Sequence, residues 1–171
     1  MLYSHKRVQG STVYLPVGSF EDHAGLPVIL DTLLALYASC SASTLCGGLV
    51  AWPIGYGYSP MHSWSVSLKP ALLRELVSAV ASGLLAAGAL RVVVVDGHYG
   101  HRSAVADAAR SAGALYVNVW SLLEEEGLTS FEEMLEFERE FSAVLGGRDS
   151  GRAAEVLDAV ARRLCSLLGS V

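Results

Sequence analysis

The chain has 171 residues, of which 52% are hydrophobic and only 17% charged, so it has apolar material for one well-buried core and does not have the composition of a disordered segment. Twelve Lys+Arg stand against 17 Asp+Glu, a formal net charge of -5, which leaves no basic stripe for a phosphate backbone and excludes nucleic acid from the expected partners. The high mean hydropathy, +0.41, predicts that further apolar surface is covered between copies in a homo-oligomer.

The N-terminal MLYSHKRVQGS has no apolar run of the signal-peptide kind. TVYLPV, residues 12–17, predicts a first strand, followed by the polar turn GSFEDHAGLP and a helix over about 32–45. GLVAWPI, 48–54, predicts a second strand, and the loop GYGYSPMHSWS leads to a helix from Pro70 to about Ala87 that closes near Gly88. The run VVVV before Asp96 suits a strand buried on both faces. A helix over about 102–112 should end at Gly113, and ALYVNVW, 114–120, predicts a fourth strand. EEEGLTSFEEMLEFERE, 124–140, predicts an amphipathic helix with an acidic outer face; the hinge GGRDSG and a closing helix over 152–168 follow. Alternating strands and helices predict an α/β domain, single over residues 1–171, with a mainly parallel sheet and helices on both faces.

The apolar stretch Leu76–Val95 is interrupted by Gly83, Gly88 and Arg91 and reads as a helix plus a strand, so no membrane span is expected. Cys40, Cys46 and Cys165 are odd in number and lack CxxC spacing, which favours buried free thiols in a reducing cytosol and hence a cytoplasmic location.

In an open parallel sheet, ligands bind beyond the carboxyl ends of the strands. His23 follows the first strand, His62 the second and His98 the third, and His101 lies one helical turn beyond His98. Any one of these is most simply a solvated loop histidine, but several at equivalent strand ends are not. The first turn adds Glu21 and Asp31, so Glu21, His23, Asp31 and His98 together offer the imidazole nitrogens and carboxylate oxygens a divalent cation takes. Asp31 also suits the cap of the following helix, and Glu21 a surface position. Tyr56, Tyr58 and Trp64 near His62 suit either the wall of a flat substrate pocket or packing beneath a sheet edge, and Trp120 is equally open. The glycines of GHYG have neither Walker nor GxGxxG spacing, which argues against a nucleotide site.

GSFEDHAGLPVILDT resembles the first signature of the creatininase family, a Gly-Ser-x-Glu-x-His turn followed by Leu-Pro and an Asp before a helix. VVVVDGHYGH is similar to its second signature, a hydrophobic strand running into Asn-Gly-His-Gly-Gly-Asn or Asn-Gly-His-Tyr-Glu-Asn. WPIGYGYSPMHSWSVSL, between them, resembles the family's Pro-x-x-x-Gly-x-Ser-x-x-His segment, with His62 at its histidine. The resemblance implies an α/β/α sandwich, one or two divalent ions (Zn, Mn or Fe), hydrolysis of a small cyclic or formylated amide, and often a hexamer. It implies that Glu21, Asp31 and His98 hold one metal, with His23 and Asp31 beginning a second site.

The chain also departs from that pattern. Gly100 stands where one signature has a glutamate ligand, Asp96 and His101 replace two asparagines, and the family's late His-Ala-Gly-x-x-Glu-Thr-Ser motif has no counterpart. Two residues are candidates to fill the gap. His101 is one, as a ligand of a second metal. Glu138 is the other, because it falls within the apolar arc of Phe131, Met134, Leu135, Phe141 and Leu145, where a carboxylate must find a cation, a donor or a subunit boundary. Asp96 is expected to orient an imidazole or a backbone turn. The leading expectation is a metal-dependent amidohydrolase with His62, Asp96 and Glu138 as further catalytic candidates. The alternative is a catalytically reduced or inactive creatininase-like subunit that binds metal or serves assembly.

Overall fold

The computed structural model describes residues 7–148 and 151–169. In chain order these form β1 (Thr12–Val17), α1 (Leu30–Cys46), β2 (Leu49–Val50), α2 (Pro70–Ala86), β3 (Arg91–Asp96), α3 (Arg102–Ala112), β4 (Leu115–Asn118), α4 (Val119–Glu125), α5 (Phe131–Leu145) and α6 (Gly151–Leu167). The four strands make one parallel sheet of order β2-β1-β3-β4, with Val17 beside Asp96 at the carboxyl ends of the two central strands.

The valine run explains the layering. Side chains alternate across a strand, so a strand covered on both faces must be apolar at every position. Val92 and Val94, with Val13, Leu15 and Val17 of β1, pack under α2 and α3 against Leu73, Val77, Ala81, Val105 and Ala109. Val93 and Val95, with Tyr14, face the opposite way onto Leu30, Leu34 and Ala38 of α1, and onto Leu157 and Val160 of α6. The result is a three-layer α/β/α sandwich.

Elements at the edges differ from expectation. The second strand is a two-residue pair rather than 48–54, although Ile54 still donates its N–H to Pro16 O; Pro53, which has no N–H, limits the ladder at this edge. The fourth strand stops at Asn118, whose side chain accepts the N–H of Ser121 and starts α4, an extra helix. The acidic helix begins at Phe131 rather than 124, set by a capping box between Ser130 and Glu133. Its buried side is Phe137 and Phe141, whereas Phe131 and Leu145 are exposed, contrary to the expected arc. Of the predicted hinge, residues 149 and 150 lie outside the described residues.

The cysteines are not the buried free thiols expected. Cys46 at the end of α1 is joined to Cys165 on α6 by a disulfide, and the free Cys40 is exposed. Disulfides persist chiefly in oxidising compartments, so the cysteines no longer support a cytoplasmic location. Among the described residues no helix is long and apolar enough to cross a membrane.

Candidate metal centre

The chain leaves β1 through α1 on one face of the sheet and leaves β3 through α3 on the other, so the crevice between the carboxyl ends of β1 and β3 is a topological switch point. Two turns meet there. After β1, Glu21 pairs with Ser65 in a short antiparallel bridge, and the chain reverses at Ala24 and Gly25, both at positive φ, so that Leu26 bridges back to His23. After β3, the turn at Gly97 and His98 is held from three sides. Asp96 Oδ1 accepts the N–H of His98, Asn118 Nδ2 donates to His98 O, and Trp120 Nε1 donates to Gly97 O. Gly97 is needed for close approach, since a Cβ there would run into the Asp31 carbonyl oxygen at the start of α1.

Asp31 is the centre of the arrangement. It does not cap α1: the N-cap is Ile29, without a side-chain bond, and Asp31 sits inside the first turn with its carboxylate turned to the crevice. Its Oδ2 takes a hydrogen bond from Ser19 Oγ at 2.6 Å and lies 2.6 Å from His98 Nδ1, which is also 3.1 Å from Glu21 Oε1. Its Oδ1 lies 3.4 Å from His23 Nε2. Two groups of three result, Glu21 with Asp31 and His98, and His23 with Asp31 and Glu138, in each of which the ligand atoms all fall within 4.8 Å of one another. Glu138 reaches this place because α5 docks by Phe137, edge-on to Trp120, which in turn grips the His98 turn.

Burial and charge act against each other here. Burial pulls the His98 imidazole down, but the Asp31 and Glu21 carboxylates outweigh it and hold the group at about 10. His23 is likewise lowered by burial and raised further by Asp31, Glu138 and Glu21, to about 9. Burial would raise Asp31, yet bonds from His23 and His98 keep its carboxyl well below the usual range. Glu138 is pushed up to about 7, by burial first and by Asp31 and Glu21 as well, against the pull of His23. Two buried atoms of the cluster, Glu21 Oε2 and His98 Nε2, have no hydrogen-bond partner among the described residues.

The other expected residues are placed differently. His62 approaches from the loop before α2, with Nε2 3.1 Å from Glu21 Oε1 and Nδ1 2.9 Å from the Asp22 carbonyl; its side chain, 36% exposed, opens to solvent. His101 is buried and belongs to neither group of three. Its Nε2 is 2.9 Å from Asp96 Oδ1 and its Nδ1 accepts the N–H of Tyr58, so both nitrogens have partners within the protein. Asp96 collects His101, the His98 N–H and the Tyr116 hydroxyl. The Phe20 ring lies 5.7 Å from that of Tyr56 and 5.5 Å from that of Trp64, centroid to centroid, beside the Glu21–Ser65 bridge. Asn118 and Tyr116 carry no signal in the sequence, whereas Ser19 stands in the Gly-Ser-x-Glu turn.

The fold and this cluster define a parallel α/β protein with a buried acid–imidazole centre at its switch point. The sequence profile of the family described as "Creatininase: Creatinine amidohydrolase" matches residues 3–163, and the chain belongs to that family. The structure is similar to that of a creatinine amidohydrolase (creatininase), with TM-score 0.81 and 17% identity over 96% of this chain and 92% of the other. It is similar also to a creatininase described as Mn, at 0.79 and 18% over 96% and 93%. A mutant creatininase of Zn-Zn type matches at 0.80 and 17% over 96% and 92%. No curated protein sequence matches the chain.

Proposed function

We propose that the chain is a metal-dependent amidohydrolase acting on a small cyclic or formylated amide. The observation that supports this most directly is Asp31, a single buried carboxylate whose two oxygens face two different acid–imidazole groups. Three carboxylates and two imidazoles suit one or two divalent ions and fit Zn, Mn and Fe alike. The donor set fits such an ion on a further ground: Glu21 Oε2 is a buried anionic oxygen without a donor, which a cation would satisfy. Glu21, Asp31 and His98 would hold one ion, and His23, Asp31 and Glu138 a second. A divalent ion bound there supplies polarisation of a carbonyl and acidification of a water.

The remaining chemistry falls to the chain. Ser19 fixes Asp31 by its hydroxyl. The Nδ1–H of His62 is donated to the Asp22 carbonyl, and Nε2, 3.1 Å from Glu21 Oε1 at the solvent side of the cluster, is the ring atom that shares a proton with that carboxylate. That atom suits the proton transfers of hydrolysis, taking one from the attacking water and returning it to the leaving nitrogen as the C–N bond breaks. Asp96 works at one remove, by holding the His98 turn. A homo-oligomer is part of the same reading, supported by Trp52 and Met61, each 90% exposed.

Elemental analysis of the purified chain, with hydrolysis assays on creatinine and on N-formyl amides, tests the proposal. One or two equivalents of metal and turnover are expected. Metal without turnover favours the non-catalytic subunit, for which Gly100 and the absent late motif speak. Full metal retention in both Glu21→Ala and His98→Ala would contradict the ligand set.

A further inference from the structure

His101 is fully buried, is 4.6 Å centroid to centroid from the His98 ring, and is used by neither group of three. Its surroundings fix it at every atom. Nδ1 accepts a backbone N–H from Tyr58, which an imidazole can do only with that nitrogen unprotonated, so the ring proton is on Nε2 and is donated to Asp96. Asp96 is itself held by the Tyr116 hydroxyl at 2.9 Å on its other oxygen. Gly57 lies flat against the ring, where any Cβ would overlap Cε1 and Nδ1 of His101. Tyr58 and Gly57 belong to the loop that carries His62; Asp96 ends β3 and His98 sits in the turn that follows it. The imidazole is therefore a strut between the His62 loop and the end of β3, with its ring set at 70° to that of His98.

We propose that His101 is a positioning residue: locked as the Nε2–H tautomer between Asp96 and the Tyr58 amide, it braces the His62 loop against the turn that presents His98. The consequence for metal affinity rests on the metal-centre reading given above; the brace itself does not. Partners that orient a ligand imidazole are typically worth about 10- to 100-fold in metal affinity. Histidine is the side chain that fits, because one end must donate to a carboxylate while the other accepts a peptide N–H across the width of a ring.

The test is imidazole nitrogen NMR together with amide hydrogen exchange, on the chain with and without zinc, in wild type, His101→Gln and His101→Phe. In wild type, His101 Nδ1 should report an unprotonated, metal-free nitrogen in both states, and the Tyr58 amide should exchange slowly. Gln keeps a donor toward Asp96 and Phe keeps only the ring volume, so zinc affinity should fall in both, about 10-fold or more in Phe and less in Gln, with Tyr58 unprotected in Phe. A zinc-shifted His101 nitrogen would overturn the proposal by making it a ligand. So would a His101→Phe chain with a protected Tyr58 amide and undiminished zinc affinity. If wild type takes up no zinc at all, the metal centre fails, while the tautomer and the Tyr58 amide still decide the brace.

Discussion

His98 Nδ1 lies 2.6 Å from Asp31 Oδ2 across 67 residues of chain, and the contact depends on a glycine between them in space. Gly97 lets the first turn of α1 come against the end of β3; a methyl group at that position meets the Asp31 carbonyl. Gly97→Ala is expected to cost about 1–3 kcal/mol or more in denaturant unfolding, the usual range for overpacking. It should also weaken metal uptake, because Asp31 moves with α1. A variant with unchanged unfolding midpoint and unchanged metal content would show that the helix can retreat without loss.

Protons and metal compete for the same cluster. His98 and His23, at about 10 and about 9, stand above their ordinary 6.5, so their contribution to stability is full below about pH 6.5 and is lost as pH rises through 9 and 10. Asp31, held low, contributes above its unfolded pKa and loses that contribution only in acid, as pH falls toward its depressed value. Metal-free protein should therefore lose stability between about pH 6.5 and 10. Ligation requires neutral imidazoles, so metal binding near pH 7.5 should release protons. Calorimetry in two buffers of different ionisation enthalpy reads that release directly, and identical apparent heats would contradict it.

What could be read from the residues follows the physics of each element. β1 and β3 announce themselves by apolar side chains at nearly every position, and the residues that follow them share the crevice whatever the loop details. Glu21, His23, Asp31 and His98 were thus legible, and Glu138 was legible as a carboxylate on an apolar helix side. Spacing could not tell that His101 turns inward to Asp96, since one helical turn from His98 fits either direction and the Tyr58 amide that decides it is 43 residues away. Nor could it pair Cys46 with Cys165, 119 residues apart, because only the packing of α1 against α6 brings them together. The short α4 was missed because VNVW has strand-like side chains, and a single asparagine cap turns it into helix.

That disulfide closes a long loop and acts on the unfolded chain more than on the site. By loop-closure entropy it is worth about 4–5 kcal/mol at most. Leu157, Val160 and Leu164 keep α6 buried against the core with or without it. Cys46→Ser with Cys165→Ser should lower the unfolding midpoint while leaving metal stoichiometry as it was. Loss of metal in the double variant would mean that the bond, rather than the apolar face of α6, sets the position of the helices around Glu138.

Glu138 offers a test in which function and stability move in opposite directions. Its carboxyl is pushed up to about 7, so in the metal-free chain the raised group favours folding below its unfolded value and disfavours it as pH rises through 7. Glu138→Gln keeps the shape and removes the charge. At pH 8 the metal-free variant should therefore melt higher than the metal-free wild type, since a half-buried anion is gone. The same change takes an oxygen ligand from the group with His23 and Asp31, so in zinc titration it should forfeit the second equivalent and keep the first, which Glu21, Asp31 and His98 would hold. A variant that melts lower and still binds two equivalents would place Glu138 in a structural role, with the cluster around His23 completed by something other than this helix.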